Sequence, residues 1–113
     1  MTVFLAFAAL LSLAGSEWGP AGSEQSLQFR NGRVMGHSGC NRYTGVYEQD
    51  GNKLTLGPLA ATKMACSPDH MENERAWFEM LAQVTAFEAT HLVLKLKGAG
   101  GEVIVTLQRR DFD

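Results

Sequence analysis

Two cysteines and two histidines are the residues of this chain whose types and spacing could support chemistry. Cys40 lies in the stretch SGCNRYTG and Cys66 in TKMACSPDH, and the chain has no other cysteine. His37 stands three positions before Cys40, and His70 stands four positions after Cys66. Three chemistries fit this pattern: a disulfide, a zinc site that uses all four side chains, and a catalytic thiol at Cys66.

Each alternative makes a different demand on the protein. A disulfide would stabilise the fold by roughly 3–4 kcal/mol and needs an oxidising compartment. Zinc accepts two cysteines and two histidines, and the spacings are in range, but their order is inverted relative to a standard zinc finger. A thiol at Cys66 would be activated by the N-terminus of a following helix, with His37 or His70 as the base. No nucleophile motif surrounds Cys66, so the residues favour the disulfide and leave the other two alternatives open.

Four residues near the cysteines form a candidate interaction surface: Asn41, Arg42, Tyr43 and Lys63. An arginine can hold a carboxylate or a phosphate with its planar donors. Each residue also has an ordinary structural role, because asparagine often bonds turn backbone and tyrosine often packs in a core. No phosphate-binding glycine loop, paired-carboxylate motif or serine elbow occurs. We therefore predict no catalytic residues, no enzymatic activity and no cofactor.

The composition indicates one small acidic domain. The chain has 113 residues, of which 45% are hydrophobic and 19% charged, and its net charge is −2. These values are typical of a single globular domain. Nucleic-acid binding requires clustered Lys and Arg, and the densest basic spot is Arg109-Arg110, which acidic residues flank. We expect a monomer that binds no nucleic acid and whose partner is an unknown protein or envelope component.

Residues 1–15 allow two interpretations. Their apolar run of about a dozen residues is too short to span a bilayer, but it fits the core of a signal peptide. Ala14, Gly15 and Ser16 would form the small-residue exit of such a signal. Two features argue against a signal and leave a first buried element as the alternative: no Lys or Arg precedes the run, and no cysteine follows it to accept a lipid. We expect export to the periplasm or medium, with the domain at residues 16–113; without a signal, the protein is cytoplasmic.

Turn residues divide the remaining chain into short strands and one helix. Asn31-Gly32 supplies the positive-φ pair of a type I′ hairpin turn. Ser67 can cap a helix that begins at Pro68, and the apolar periodicity continues to Gln83. The strands are expected near residues 27–29, from residue 34 onward, and near 43–47, 54–56, 59–64, 85–88, 91–97 and 103–107. Since no βαβ alternation occurs, we predict an α+β fold: a curved antiparallel sheet or partial barrel with one packed helix at about residues 68–83.

Four segments form a recognisable pattern: FRNGRVMGHSGCNRYTGVY, LTLGPLAATKMAC, MENERAWFEML and LVLKLKGAGGEVIVTL. The first two contain the elements G-C-N-R-Y-x-G and T-x-M-x-C at a characteristic separation. The pattern extends from Trp18 to about Leu107 and resembles the META domain family, which includes HslJ-like bacterial heat-shock proteins.

The resemblance implies a small α+β domain of secreted, periplasmic or membrane-anchored proteins, with a disulfide between Cys40 and Cys66. The family has been connected with stress response, antibiotic tolerance, motility and secretion, and no enzymatic activity is established for it. His37 and His70 are not part of the family pattern, which weakens the zinc alternative.

We therefore expect a non-enzymatic envelope or secreted domain that is associated with stress response and acts through protein or envelope interactions. The alternative is a domain that binds a small ligand inside its curved sheet, near aromatic positions such as Phe29 and Tyr47. A zinc-stabilised domain is a further alternative.

Overall fold

The computed structural model describes residues 12–111, which contain nine strands and one helix. The helix, α1, is Pro68–Leu81. The strands are β1 (Glu17–Gly19), β2 (Leu27–Arg30), β3 (Arg33–His37), β4 (Arg42–Asp50), β5 (Lys53–Leu56), β6 (Ala60–Ala61), β7 (Ala86–Ala89), β8 (Val93–Lys97) and β9 (Val103–Arg109).

The strands form a closed antiparallel barrel. Each neighbour pairs with the next in the order β3-β2-β1-β9-β8-β7-β5-β4, and β4 pairs back with β3, so eight strands complete the ring. β6 pairs with β4 beyond the end of β5, through Tyr43↔Ala61 and Thr44↔Ala60. The predicted antiparallel α+β architecture with one helix is confirmed, whereas the sheet, which the sequence predicted to be curved or a partial barrel, is a closed barrel.

The first hairpin has the turn that the sequence predicts. Asn31 has a φ of 54° and Gly32 a φ of 77°. Two consecutive positive φ angles define a type I′ turn, whose twist matches that of the flanking strands. The turn fixes the pairing of Arg30 with Arg33 and hence the register of β2 against β3. This register also decides which side chains of β2 and β3 lie next to each other on the outer face of the sheet.

Helix α1 begins as predicted and ends two residues early. Ser67 caps it, because the Ser67 hydroxyl accepts a hydrogen bond from the His70 amide at 3.4 Å. The sequence pattern extends the helix to Gln83, but the Gln83 amide bonds the carbonyl of Met80 in a tighter turn. That turn lets Val84 reach the core, where it is 7% exposed.

The barrel interior is filled by side chains from every part of the ring and from the helix. Alternate residues of the strands point inward, as the period of two requires. Trp77 and Leu81 add the buried face of α1. The fully buried large side chains of the interior are Leu13, Trp18, Leu27, Phe29, Val34, Leu54, Leu81, Leu94, Leu96 and Leu107.

Within the described residues, packing extends to at least three residues before the expected start of the domain at Ser16. Leu13 is 1% exposed and belongs to the core. Its amide donates to the side chain of Gln49 at 2.9 Å, and the Gly15 amide donates to the carbonyl of Phe29 at 2.7 Å. Most of the candidate signal segment, residues 1–11, lies outside the described residues, so export stays a prediction. No helix within residues 12–111 is long and apolar enough to cross a bilayer.

The segment at the end of β9 contains an ion pair, and the carboxylate of that pair also accepts a hydrogen bond from the backbone of β1. Arg109 donates to both carboxylate oxygens of Asp111, at 2.7 and 3.1 Å, and its guanidinium lies 5.3 Å from the ring centroid of Trp18. The backbone amide of Glu17 also donates to Asp111, at 3.1 Å. Chiefly because Arg109 donates to it, the pKa of the Asp111 carboxyl falls from its ordinary 3.8 to about 2.

This pKa predicts a small, pH-dependent contribution to stability. A depressed folded-state pKa means that the ionised carboxylate stabilises the fold above its ordinary pKa, and that the contribution is lost as the pH falls towards 2. Asp111→Asn should therefore lower the free energy of unfolding by less than about 1 kcal/mol at neutral pH, because the pair is partly exposed. Urea unfolding should show the two proteins converging near pH 2; a difference independent of pH would contradict this assignment.

Candidate functional site

The two cysteines are joined in a disulfide. Their sulfur atoms lie 2.02 Å apart and their Cα atoms 6.0 Å apart, across a sequence separation of 26. Cys40 lies in the turn between β3 and β4, and Cys66 precedes α1. The bond therefore ties the barrel to the start of the helix, and no cysteine of residues 12–111 is free.

The other two cysteine chemistries do not fit this arrangement. A zinc ligand or a nucleophile must be a thiolate, and these sulfurs are bonded to each other. The ring of His37 accepts a hydrogen bond from the Gly39 amide at 3.0 Å. His70 lies 2.6 Å from the hydroxyl of Ser67 and 3.6 Å from the carboxylate of Glu24. The described part of the chain holds no group of three His, Cys, Asp or Glu residues arranged for a metal ion.

Asn41 is the centre of the network around the disulfide. Its side-chain oxygen accepts hydrogen bonds from the Met64 amide at 2.7 Å and the Thr62 hydroxyl at 2.8 Å. Its side-chain nitrogen donates to the Glu74 carboxylate at 3.0 Å and to the Met64 carbonyl at 3.3 Å. One amide thus holds the β3–β4 turn, the segment before α1, and α1 itself.

Ser38 and Glu74 complete the network. The Ser38 hydroxyl donates to the Glu74 carboxylate at 2.5 Å and accepts from the backbone amides of Asn41 and Cys40, at 2.9 and 3.2 Å. Sequence reasoning missed both residues as site members. The available signal was Glu74 itself, a charged residue on the apolar stripe of α1, since a carboxylate placed there needs buried donors.

Tyr43 packs beneath this turn. Its hydroxyl donates to the Ser26 carbonyl at 2.6 Å, and its ring meets that of Phe78 edge-on, with centroids 5.5 Å apart. Burial raises the pKa of the Tyr43 phenol well above its ordinary value, and the adjacent Trp77 side chain offsets this only in part. The indole N–H of Trp77 makes no well-formed hydrogen bond within residues 12–111. The phenol is therefore a structural group that stays protonated.

These contacts correct half of the expected interaction surface. Asn41 and Tyr43 are each 3% exposed, so neither offers its side chain to a partner in this structure. The physical reason is that the polar groups of both side chains make hydrogen bonds within the protein. Arg42 and Lys63 are exposed, and their role in binding stays a prediction.

Two open grooves lie outside the barrel. The first, of about 690 Å³, runs over the outer face of β3 and β4 between Gln28 and Thr62, and Arg42 lines it. The second, of about 660 Å³, lies between α1 and the segment from Leu56 to Lys63. Both volumes are within the range of ligand sites, about 300–1,000 Å³.

The interior near the predicted ligand positions is occupied by protein. Phe29 is fully buried, and its ring meets that of Tyr47 edge-on, with centroids 4.8 Å apart. Burial also raises the pKa of the Tyr47 phenol. A ligand at these positions would have to displace core side chains, so the packing favours the outer grooves as binding sites.

A comparison with protein-family models identifies the family of the chain. The model of the META domain matches residues 9–111 of the chain. The chain belongs to the META domain family. The match confirms the resemblance carried by the cysteine-containing segments. No curated protein matches the chain significantly in sequence.

Solved structures share the barrel of this META domain. A solution structure of a protein from Burkholderia xenovorans is 25% identical with a TM-score of 0.72, over 88% of this chain and 85% of that one. A second solution structure is 23% identical with a TM-score of 0.61, over 85% and 88% of the two chains. A crystal structure of a DUF4847 family protein from Bacteroides vulgatus is 18% identical with a TM-score of 0.57, over 80% and 62%.

Proposed function

We propose that this META domain is a non-enzymatic module of the cell envelope or of the secreted proteins, associated with stress response, that acts by binding a protein or an envelope component. The observation that carries the proposal is that the conspicuous residues of the two cysteine-containing segments bond to other parts of the protein. Both cysteines form the disulfide, and the side chains of Asn41 and Tyr43 make hydrogen bonds within the protein. The motif therefore builds a scaffold, and the chemistry available to a partner lies on the exposed surface beside it.

The disulfide supports an oxidising location. Such bonds persist in secreted proteins and in the bacterial periplasm, and they are rare in reducing cytoplasm. Cys40 is 3% exposed and Cys66 is half-buried, so the Cys40 sulfur is shielded from exchange with small thiols. These features are typical of a structural disulfide in an extracytoplasmic domain.

Site-directed photo-crosslinking in the native host would test the proposal. A photoreactive amino acid would replace Arg42, which lines the first groove, or Lys95 on the outer face of β8 as the matched control. We expect a discrete cross-linked product in the envelope or medium fraction from the Arg42 position, not from the Lys95 position, and its yield should rise under heat stress.

Two results would contradict the proposal. One is the absence of a cross-linked product that distinguishes the Arg42 position from the Lys95 position. The other is recovery of the protein from the cytoplasm with two free thiols. These thiols would react with a membrane-impermeant alkylating reagent only after the cells are lysed.

A further inference from the structure

One part of the outer face of β2, β3 and β4 carries three arginines and no carboxylate; Glu48 and Asp50 lie outside it, further along β4 on the same side. We call this part the arginine face and define it by three rows of side chains that the strand pairing sets side by side. The first row, at the disulfide end, consists of Ser26, His37, Arg42 and Thr62. The second row is Gln28, Met35, Thr44 and Ala60, and the third is Arg30, Arg33 and Val46.

The positive charge of the arginine face is not neutralised within the protein. No carboxylate of residues 12–111 lies within 4.0 Å of the guanidinium nitrogens of Arg30, Arg33 or Arg42. Within residues 12–111, the guanidinium of Arg33 donates only to the hydroxyl of Thr44, at 3.1 and 3.3 Å. The side chains of Arg30, Arg33 and Arg42 are exposed.

The polar groups between the arginines are also donors. Because the Nδ1 atom of His37 accepts the Gly39 amide at 3.0 Å, the neutral ring carries its proton on Nε2. The Thr44 oxygen accepts from Arg33, so its own hydroxyl hydrogen is available to another acceptor. Donors in excess of acceptors fit a ligand that is rich in acceptors, and carboxylates meet this requirement with charge-assisted hydrogen bonds.

The dimensions of the arginine face match an extended peptide. The first and third rows are four residues apart along β3 and β4, which corresponds to about 13 Å. An extended peptide places side chains i and i+4 at the same separation. Between the two rows, Met35 and Ala60 line a groove of about 690 Å³ that can receive an uncharged residue.

We infer that the arginine face binds an extended acidic segment of a partner protein, with one carboxylate against Arg42 and His37 and a second, four residues away, against Arg30 and Arg33. The inference rests on the proposed function and names the class of partner. The remaining surface carries the acidic excess of the chain and repels such a segment, so electrostatic steering directs it to this one face.

The test is a titration of the full chain with synthetic ten-residue peptides at low ionic strength. The changes in the amide chemical shifts of the protein are measured in ¹⁵N NMR spectra. The probe carries two glutamates at positions i and i+4 in an alanine and valine background. One matched peptide has glutamine at both positions, and another has the glutamates adjacent. We expect shifts confined to β2, β3, β4 and β6, with the spaced-glutamate peptide binding several-fold tighter than either control.

Protein variants with equal loss of charge provide the second control. Arg33→Gln with Arg42→Gln removes two positive charges from the arginine face. Lys53→Gln with Lys95→Gln removes two from exposed positions of β5 and β8. We expect the first pair to weaken peptide binding by roughly tenfold and the second by less than twofold, since only the first removes charge-assisted hydrogen bonds.

Three outcomes would overturn the inference: equal weakening by both pairs of substitutions, equal binding of the glutamate and glutamine peptides, or binding of inorganic phosphate or phosphatidylglycerol vesicles at this face without binding of the peptide. The last outcome would assign the face to a phosphate group or a membrane instead. None of these results removes a cross-link from position 42 to an envelope partner, so the inference can fail while the proposed function stands.

Discussion

Replacing Cys40 and Cys66 together by alanine is expected to lower the free energy of unfolding by about 3.5 kcal/mol, because the disulfide restricts the unfolded chain over a separation of 26 residues. That is a large share of the 5–15 kcal/mol that typically stabilises a domain. The loss should exceed that from any single surface substitution, since the bond also holds the segment that positions Met64 for Asn41. Urea unfolding monitored by tryptophan fluorescence would measure it.

Reduction of the wild-type protein provides the matched control. A phosphine reductant should lower the urea midpoint of the wild-type protein and leave that of the double alanine variant unchanged. Thiol titration of unfolded protein that was purified without reductant should find no free thiol. Two titratable thiols, or equal midpoints with and without reductant, would show that the bond does not contribute to the stability of the protein.

Asn41→Ala is expected to lower the free energy of unfolding by roughly 3 kcal/mol, because it truncates a buried side chain and takes hydrogen bonds from several partly buried groups at once. The substitution removes the acceptor of the Met64 amide and of the Thr62 hydroxyl, and it removes a donor to the Glu74 carboxylate. The free energy of unfolding from urea denaturation measures the effect. Arg42→Ala, at the neighbouring exposed position, is the control and should change stability by less than about 0.5 kcal/mol.

Asn41→Asp separates the charge effect from the loss of shape. The new carboxylate keeps the size of the side chain but faces the Glu74 carboxylate, where the amide nitrogen lay 3.0 Å away. Two adjacent carboxylates cannot both ionise without cost, so at least one folded-state pKa rises. The variant should therefore be most destabilised at neutral pH and should recover as the pH falls through the carboxyl range. A deficit that does not change with pH would contradict the placement of Glu74 beside Asn41.

Local features of the fold were predictable because short-range sterics decide them. Asn31-Gly32 adopts the two positive φ angles of its turn, since these residue types tolerate that backbone conformation. The start of α1 follows from Ser67 and Pro68, because a cap and a fixed φ act within one turn. The end of α1 was less predictable, since the burial of Val84 depends on the barrel wall that it meets.

The candidate site was predictable only in its covalent part. Because the sequence contains two cysteines, a disulfide within the chain can pair them in only one way. The family pattern implied this disulfide. The partners of Asn41 lie 21 to 33 positions away along the chain, in segments whose approach no local pattern describes. For that reason the sequence placed Asn41 and Tyr43 on a surface, whereas the folded chain buries both.

The sequence by itself determined the family, the alternation of inward and outward residues, the hairpin turn and the start of the helix. Only the tertiary structure decided that the sheet closes on itself, because closure depends on the pairing of β1 with β9 and of β5 with β7, strands that lie far apart in the chain. It also decided where the charge lies. Arg30, Arg33 and Arg42 form no basic run, yet antiparallel pairing turns their scattered positions into one face of the barrel.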